Sequence, residues 1–255
     1  MSFESVSAVV AGIPHITPER GRILYDFIRR EKPDRCLELG FSHGTSACYI
    51  AAALADNGRG HLTTVDLLHT AAYETAIEHL LARTGLESWV TPVREHTSYN
   101  WFLKKELERS TVNGVCTPVY DFCFIDGPKN WQVDGFAFLL VDRLLRPGGW
   151  VLFDDYDWTY ASTGRQQTDS INHRDLGPDE LEEPHIEAVV RLLVMQHPDY
   201  SEVRIQDGIW AWARKSPTAK ARRLVYEQTY TYKALVARLL KASVRKLGLG
   251  RLDGL

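Results

Sequence analysis

Apolar and polar positions follow two rhythms along this chain. Short apolar runs of strand character alternate with stretches whose apolar residues recur every three or four positions. Residues 16–30 have helical spacing, with Ile23, Leu24, Phe27 and Ile28 on one side. Residues 34–39 (DRCLEL) predict a first strand, and residues 45–55 a helix ended by Asn57 and Gly58. Residues 61–66 (HLTTVD) predict a second strand, residues 71–84 a helix closed by Gly85, and residues 89–94 a third strand. A charged, partly exposed helix follows at 101–109, then a fourth strand at 120–126 (YDFCFID). A helix at 135–145 stops at Pro147-Gly148-Gly149 and hands over to a fifth strand at 150–154 (WVLFD). Strands that alternate with helices imply βαβ units and a mostly parallel sheet covered on both faces.

The rhythm lapses after Asp157. Residues 158–184 are polar and rich in turn formers, which predicts a lid or substrate loop. Helical spacing returns at 186–195. Residues 200–206 and 209–214 then flank Asp207-Gly208, a strong hairpin signal, so the last strand is expected to run antiparallel. The expected organisation is a helical segment at 1–32, a main domain at 33–214 and a helical tail at 215–255.

Composition adds little to the fold and more to the partners. With 44% apolar and 25% charged residues, the chain is an ordinary globular one of 255 residues. The apolar run at 49–55 is far shorter than the roughly 20 residues of a membrane span. The first residues carry no basic segment before their apolar stretch, so a secretory leader is not expected. Cys36, Cys48, Cys116 and Cys123 show no metal-type spacing and read as reduced thiols, which places the chain in the cytoplasm. The net charge of −3 hides an asymmetry. From residue 214 onward, eleven Lys and Arg face only Glu227 and Asp253, a net of +9, so the rest of the chain carries −12. Within the tail, Val236, Leu239, Leu240, Ser243 and Leu247 fall on one helical face, and Arg238, Lys241 and Arg245 on the other. Such a basic amphipathic helix suits peripheral contact with an anionic membrane, or packing on the body or on a second copy in a homo-oligomer. The acidic body argues against nucleic acid.

Candidate chemistry gathers at the predicted strand ends, where doubly wound sheets bind ligands. Glu38, Gly40, Phe41, Ser42, Gly44 and Thr45 span the turn from first strand to first helix. Gly40 permits a tight turn, and Gly44 and Thr45 open a helix with free N–H groups. A dinucleotide fingerprint would need a middle glycine that is absent here. Asp66, followed by Leu67, ends the second strand, where a carboxylate can accept ribose hydroxyls or cap the next helix. Asp126 follows the fourth strand, and Asp154 with Asp155 the fifth. Neighbouring strand ends lie about 5 Å apart, so three carboxylates would converge. A hard cation such as Mg²⁺ would relieve their repulsion. Alternatively, Asp126 orients a ligand ammonium and one of the pair caps a turn.

Glu38 to Ser46, Asp66, the FIDG run and the RPGGWVLFDD run together resemble a class I S-adenosylmethionine-dependent methyltransferase. The resemblance covers about residues 33–214. It implies a Rossmann-like, doubly wound α/β fold with a seven-stranded sheet, mostly parallel with an antiparallel last strand. More narrowly, the chain resembles the metal-dependent O-methyltransferases of small molecules, of the catechol type and of the type acting on sugars of natural products. That likeness implies Asp126, Asp154 and Asp155 as Mg²⁺ ligands, Glu38 and Asp66 on the methionine-ribose portion, and Thr97 and Ser98 near adenine. It also implies Lys129, three residues after Asp126, as the base that deprotonates a small-molecule hydroxyl acceptor; the sugar-modifying type more often has His there. Metal-independent transfer, or a silent fold docked on a membrane, are the competing readings.

Other residues make weaker claims. Trp131 fits ligand stacking or core packing equally. His43, His173 and His185 are candidates for a substrate pocket, but a lone histidine is more often structural or merely exposed, and none is chosen. Tyr156, Asp157 and Trp158 follow the acidic pair and can form one acceptor wall, whereas Trp210 and Trp212 read as core.

Overall fold

The computed structural model describes residues 2–14, 16–163 and 176–218, together with Val236 and Leu239. Met1–Ala219 forms one compact unit and Lys220–Leu255 a second. Of the predicted lid, residues 164–175 lie outside the described residues, as does the basic tail from residue 219 onward apart from helical Val236 and Leu239; Lys215, expected to open that tail, instead ends the last strand. Among the described residues no helix is long and apolar enough to cross a membrane.

Seven strands form the main sheet: β1 (Arg35–Leu39), β2 (His61–Leu67), β3 (Val90–Glu95), β4 (Tyr120–Ile125), β5 (Leu145–Phe153), β6 (Tyr200–Gln206) and β7 (Trp210–Lys215). In these labels their spatial order is 3-2-1-4-5-7-6, and β7 alone runs antiparallel, between β5 and β6. The doubly wound, mostly parallel architecture expected from the alternation is the observed one. Strand order reverses between β1 and β4, and such a reversal opens a crevice at the carboxyl ends of the strands.

Alternate side chains of each strand enter opposite cores, so both faces are apolar. Cys36, Phe122, Phe124, Leu152 and Trp212 face one way, toward α2 (Pro18–Glu31) and α3 (Thr45–Asn57). Leu37, Leu39, Cys123, Ile125, Val151 and Phe153 face the other, toward α5 (Tyr99–Ser110), α6 (Trp131–Leu144) and α8 (His185–Val189). The first of these cores also takes in Phe3, Val6 and Val10 of α1 (Phe3–Val10) and Ile77, Leu80 and Leu81 of α4 (Ile77–Thr84). Cys36, Cys48 and Cys123 are buried free thiols, and Cys116 is half-buried and free.

Several boundaries depart from the sequence reading. The helix expected at 71–84 begins only at Ile77: Leu68–Ala72 forms a separate 3₁₀ turn, Ala76 is extended at ψ 155°, and the His43 ring lies 2.8 Å from the Thr75 carbonyl between them. Helix α6 begins at Trp131 rather than 135: Asn130 caps it through the N–H groups of Gln132 and Val133, and Asp134 accepts the Asn130 N–H in return. Strand β5 extends back to Leu145 through a register shift that accommodates Pro147. The segment expected as an open loop contains two short turns, Tyr160–Thr163 and α7 (Pro178–Glu182). The Asp207-Gly208 hairpin is present, both residues left-handed at φ 56° and 68°.

Candidate functional site

The crevice between β1 and β4 holds a cavity of about 380 Å³. Ladder hydrogen bonds continue past the strand ends to its rim. Gly40 N–H donates to the Val65 carbonyl at 2.8 Å, Asp126 N–H to Leu39 at 2.8 Å, and Asp154 N–H to Ile125 at 3.0 Å. The sheet itself therefore fixes the three loops. Gly40 sits at φ 92°, and a Cβ there would overlap the Asp126 carbonyl, so only glycine lets the first and fourth loops meet.

Of the residues expected to bind a cofactor, Gly40, Phe41, Ser42, Thr45, Asp66, Leu67, Thr97 and Ser98 line this cavity. Gly44 does not line it. It opens α3 in a left-handed conformation against Ile77. Glu38 does not reach the cavity either. Strand alternation turns it into the core facing α3, where it is fully buried and accepts the Thr64 hydroxyl at 2.5 Å. Burial raises its pKa to about 7, opposed by hydrogen bonds from Ser46 and Thr64. Its second oxygen, Oε1, has no partner among the described residues. Glu38 thus stands behind the cavity wall, beside Ser46, which does line it.

Asp66 has a structural task of its own. Its Oδ2 accepts the N–H groups of Phe41 at 2.8 Å and Ser42 at 2.7 Å, and its Oδ1 accepts that of Leu67 at 2.7 Å. A carboxylate offers about four acceptor positions, so about one remains for a ligand hydroxyl. Capture of both ribose hydroxyls is not open to Asp66 in this arrangement.

Asp126, Asp154 and Asp155 converge where β4 and β5 end, each placing one oxygen within 4.8 Å of the others. Burial pushes the Asp126 carboxyl well above its usual range. Lys129 opposes that rise, and Asp154 and Asp155 add to it. Burial, then Asp155, likewise raises Asp154, while the Trp210 indole opposes the rise by donating to Asp154 Oδ1 at 2.6 Å. Lys129 Nζ lies 3.0 Å from Asp126 Oδ1 and 3.4 Å from Asp155 Oδ2. Burial disfavours its ammonium, but the three carboxylates outweigh that and hold it protonated.

Three non-glycine residues of the cavity have left-handed backbone: Ser42 (φ 47°), Lys129 (φ 58°) and Asp155 (φ 53°). Such conformations cost on the order of 1 kcal/mol each and persist where surrounding contacts dictate them. Here those contacts are the Asp66 carboxylate for Ser42 and the ion pairs for the other two.

The remaining wall combines expected and unexpected residues. Trp158 lines the cavity, whereas Tyr156 and Asp157 do not. Tyr160 joins it and donates to the Pro128 carbonyl at 2.8 Å. Tyr99 also lines it, its hydroxyl on Asp134. Ile16 and Arg20 reach it from the start of α2. The sequence offered no signal for Arg20 beyond its charge. Trp131 is partly exposed and lies outside the lining. His43 and His185 lie outside it too: His185 accepts the Trp131 N–H at 3.1 Å and bonds the Glu180 carbonyl at 2.7 Å. His173 lies outside the described residues. Trp210 and Trp212 are buried core residues, and Trp210 has the added role of holding Asp154.

Residues 37–156 match the sequence pattern of a methyltransferase-domain family. No curated protein matches the chain. Solved structures share its fold. The Bacillus cereus O-methyltransferase in complex with S-adenosylhomocysteine is 20% identical, with a TM-score of 0.57 over 84% of this chain and 90% of that one. The O-methyltransferase TomG of Streptomyces achromogenes, involved in tomaymycin synthesis and bound to S-adenosylmethionine, is 18% identical, with a TM-score of 0.55 over 84% and 89%. A methyltransferase of Podospora anserina bound to S-adenosylhomocysteine is 17% identical, with a TM-score of 0.58 over 84% and 86%. Residues 37–156 are thus a methyltransferase domain, set in the doubly wound sheet that these solved structures share.

Proposed function

We propose that the chain is a metal-assisted O-methyltransferase acting on a hydroxyl of a small molecule. The observation that carries this reading is the acid cluster of Asp126, Asp154 and Asp155 facing the same cavity as the Gly40–Ser42 loop. In the proposed arrangement Gly40, Phe41, Ser42, Thr45 and Ser46 cradle the methionine portion of the cofactor. Asp66 accepts one ribose hydroxyl, and Leu67, Thr97 and Ser98 border the adenine. Glu38 supports this wall through Ser46 rather than by contact.

The donor set fits a hard divalent cation: three carboxylates with oxygens within 4.8 Å of one another suit Mg²⁺ and its retained waters. Bound there, Mg²⁺ would supply positive charge that lowers the pKa of an acceptor hydroxyl. The protein's own residues do the rest. Trp158 and Tyr160 wall off the acceptor side, and Tyr160 is fixed by its bond to Pro128. Lys129 Nζ sits among the three carboxylates, whose charge now holds it protonated. Offsetting that charge would let the ammonium release a proton to solvent, leaving a neutral Nζ to take the acceptor proton. S-adenosylmethionine, held by the Gly40–Ser46 loop and Asp66, would supply the methyl group, the acceptor oxygen gaining it as the carbon–sulfur bond is lost to a neutral thioether. Phenolic and sugar hydroxyls both meet these requirements. TomG, a fold relative, serves tomaymycin synthesis, and a natural-product acceptor is consistent with that.

A second reading rests on the same lysine. Its ammonium already lies between Asp126 and Asp155, as a cation of the cluster, and transfer without a metal would use it in that capacity. The test is transfer of labelled methyl from S-adenosylmethionine to a panel of phenols and free sugars, in Mg²⁺ and in EDTA. Transfer that stops in EDTA and returns with Mg²⁺ supports the first reading. Equal transfer in both supports the second.

A further inference from the structure

We infer that Arg20 binds the carboxylate of the cofactor's methionine portion. The inference rests on the cofactor reading above and adds a contact from outside the strand-end loops.

Arg20 lies in the first turn of α2, half-buried, and its side chain lines the cavity beside Ile16. Helix α2 has three other arginines that engage neighbours. Arg22 pairs with Glu4 at 2.5 Å and covers the Phe3 ring at 3.6 Å. Arg29 donates to Asn57 at 2.8 Å, and Arg30 to Glu31 at 2.9 Å. Among the described residues no acid meets the Arg20 guanidinium. Among the described residues, Arg20 and Lys129 are the two cationic residues that line the cavity, and Lys129 is already paired. A partly desolvated guanidinium without a partner is unfavourable, and a ligand carboxylate would satisfy it with charge-assisted hydrogen bonds.

The layout says which end of the ligand reaches it. Asp66 and Leu67 end β2, and Thr97 to Tyr99 follow β3, so nucleoside groups belong on that side. The methionine portion then extends from β1 toward β4, past Thr45 and Ser46 at the start of α3. That helix packs directly on α2, and Thr45 Oγ1 reaches the Pro14 carbonyl at 3.4 Å, just before Ile16. The sulfonium and the ammonium of the cofactor are positive, and its one anion is this carboxylate. An acidic acceptor would offer Arg20 the same chemistry, and the ligand pair below separates the two sources.

The experiment titrates S-adenosylhomocysteine, and its decarboxylated analogue that lacks only the carboxylate, into wild type, Arg20→Gln and Arg20→Lys. Loss of such a charged pair predicts that Arg20→Gln weakens S-adenosylhomocysteine about ten- to a hundredfold, with the analogue unchanged. Arg20→Lys should recover part of the loss, since it keeps the charge without the fork. Equal weakening of both ligands would overturn the inference, because the effect would then be a general disturbance of the cavity. Undiminished binding of S-adenosylhomocysteine would overturn it too, and would leave Arg20 to an anionic acceptor. Wild-type protein that binds neither ligand would overturn the cofactor reading itself, a result distinct from failure of the Arg20 arm alone.

Discussion

Asp66 Oδ2 accepts the amide N–H of Ser42 at 2.7 Å, so the carboxylate that ends β2 shapes the loop that follows β1. The same oxygen holds Phe41, and Ser42 is kept left-handed. Asp66→Ala should therefore lower thermal stability and cofactor affinity together. Orphaned N–H groups cost about 1–3 kcal/mol each where water cannot replace the acceptor. Thermal unfolding beside titration with S-adenosylhomocysteine checks this. Lost affinity with unchanged stability would mean that Asp66 acts on the ligand alone.

Glu38 predicts a pH dependence of stability. Its folded pKa of about 7 lies above the usual 4.5, chiefly through burial. A raised carboxyl favours the protonated folded state, so its contribution is complete below pH 4.5 and is lost as the pH rises toward 7. The loss is of the order of 3 kcal/mol. In Glu38→Gln that slope should flatten, the two slopes differing only within this window and the stability gap between the proteins persisting above it. Parallel stability curves for the two proteins would contradict the assignment.

Lys129 separates base from counter-charge. Lys129→Met should reduce methyl transfer by at least about a hundredfold if Nζ moves a proton. Lys129→Arg keeps a cation between Asp126 and Asp155 but gives up a base, because the guanidinium does not deprotonate. Under the proposed mechanism it fails to restore the rate. Restored transfer in Lys129→Arg would assign the lysine to charge balance.

Trp210 makes a specific claim on the acid cluster. Its indole N–H donates to Asp154 Oδ1 at 2.6 Å, while its ring packs against Phe124 and Trp212. Trp210→Phe keeps an aromatic ring there and removes the donor. Loss of a partner that orients a ligand residue lowers metal affinity by about ten- to a hundredfold. Mg²⁺ titration of the variant reads this directly, and wild-type affinity would show that Asp154 needs no such tether.

The architecture was legible because each parallel strand is a compact apolar run bounded by turn residues. The acid cluster was legible because Asp126, Asp154 and Asp155 stand immediately after two of those runs. What escaped depends on contacts between distant segments. The start of the shortened helix at Ile77 sits beside a contact between the His43 ring and the Thr75 carbonyl, 32 positions apart. Glu38 reads as a rim residue until the alternation of β1 is matched to the helix packed on each face. Arg20 and Tyr160 enter the cavity from elements whose approach no local pattern specifies. Two missed features did carry local signals. Asn130 with Asp134 is a reciprocal cap, and Asn113-Gly114 joins a two-residue ladder between Thr111–Val112 and Val115–Cys116.

In the proposed site the acid cluster holds a divalent cation beside the cofactor. The direct test is Mn²⁺ binding by electron paramagnetic resonance, in the presence of S-adenosylhomocysteine, for wild type and for Asp126→Asn and Asp155→Asn. One bound Mn²⁺ per wild-type chain is expected, displaced by Mg²⁺ and lost in both variants. No bound ion in the wild type, or equal binding in all three proteins, would contradict it and leave the Lys129 ammonium as the cation of the cluster.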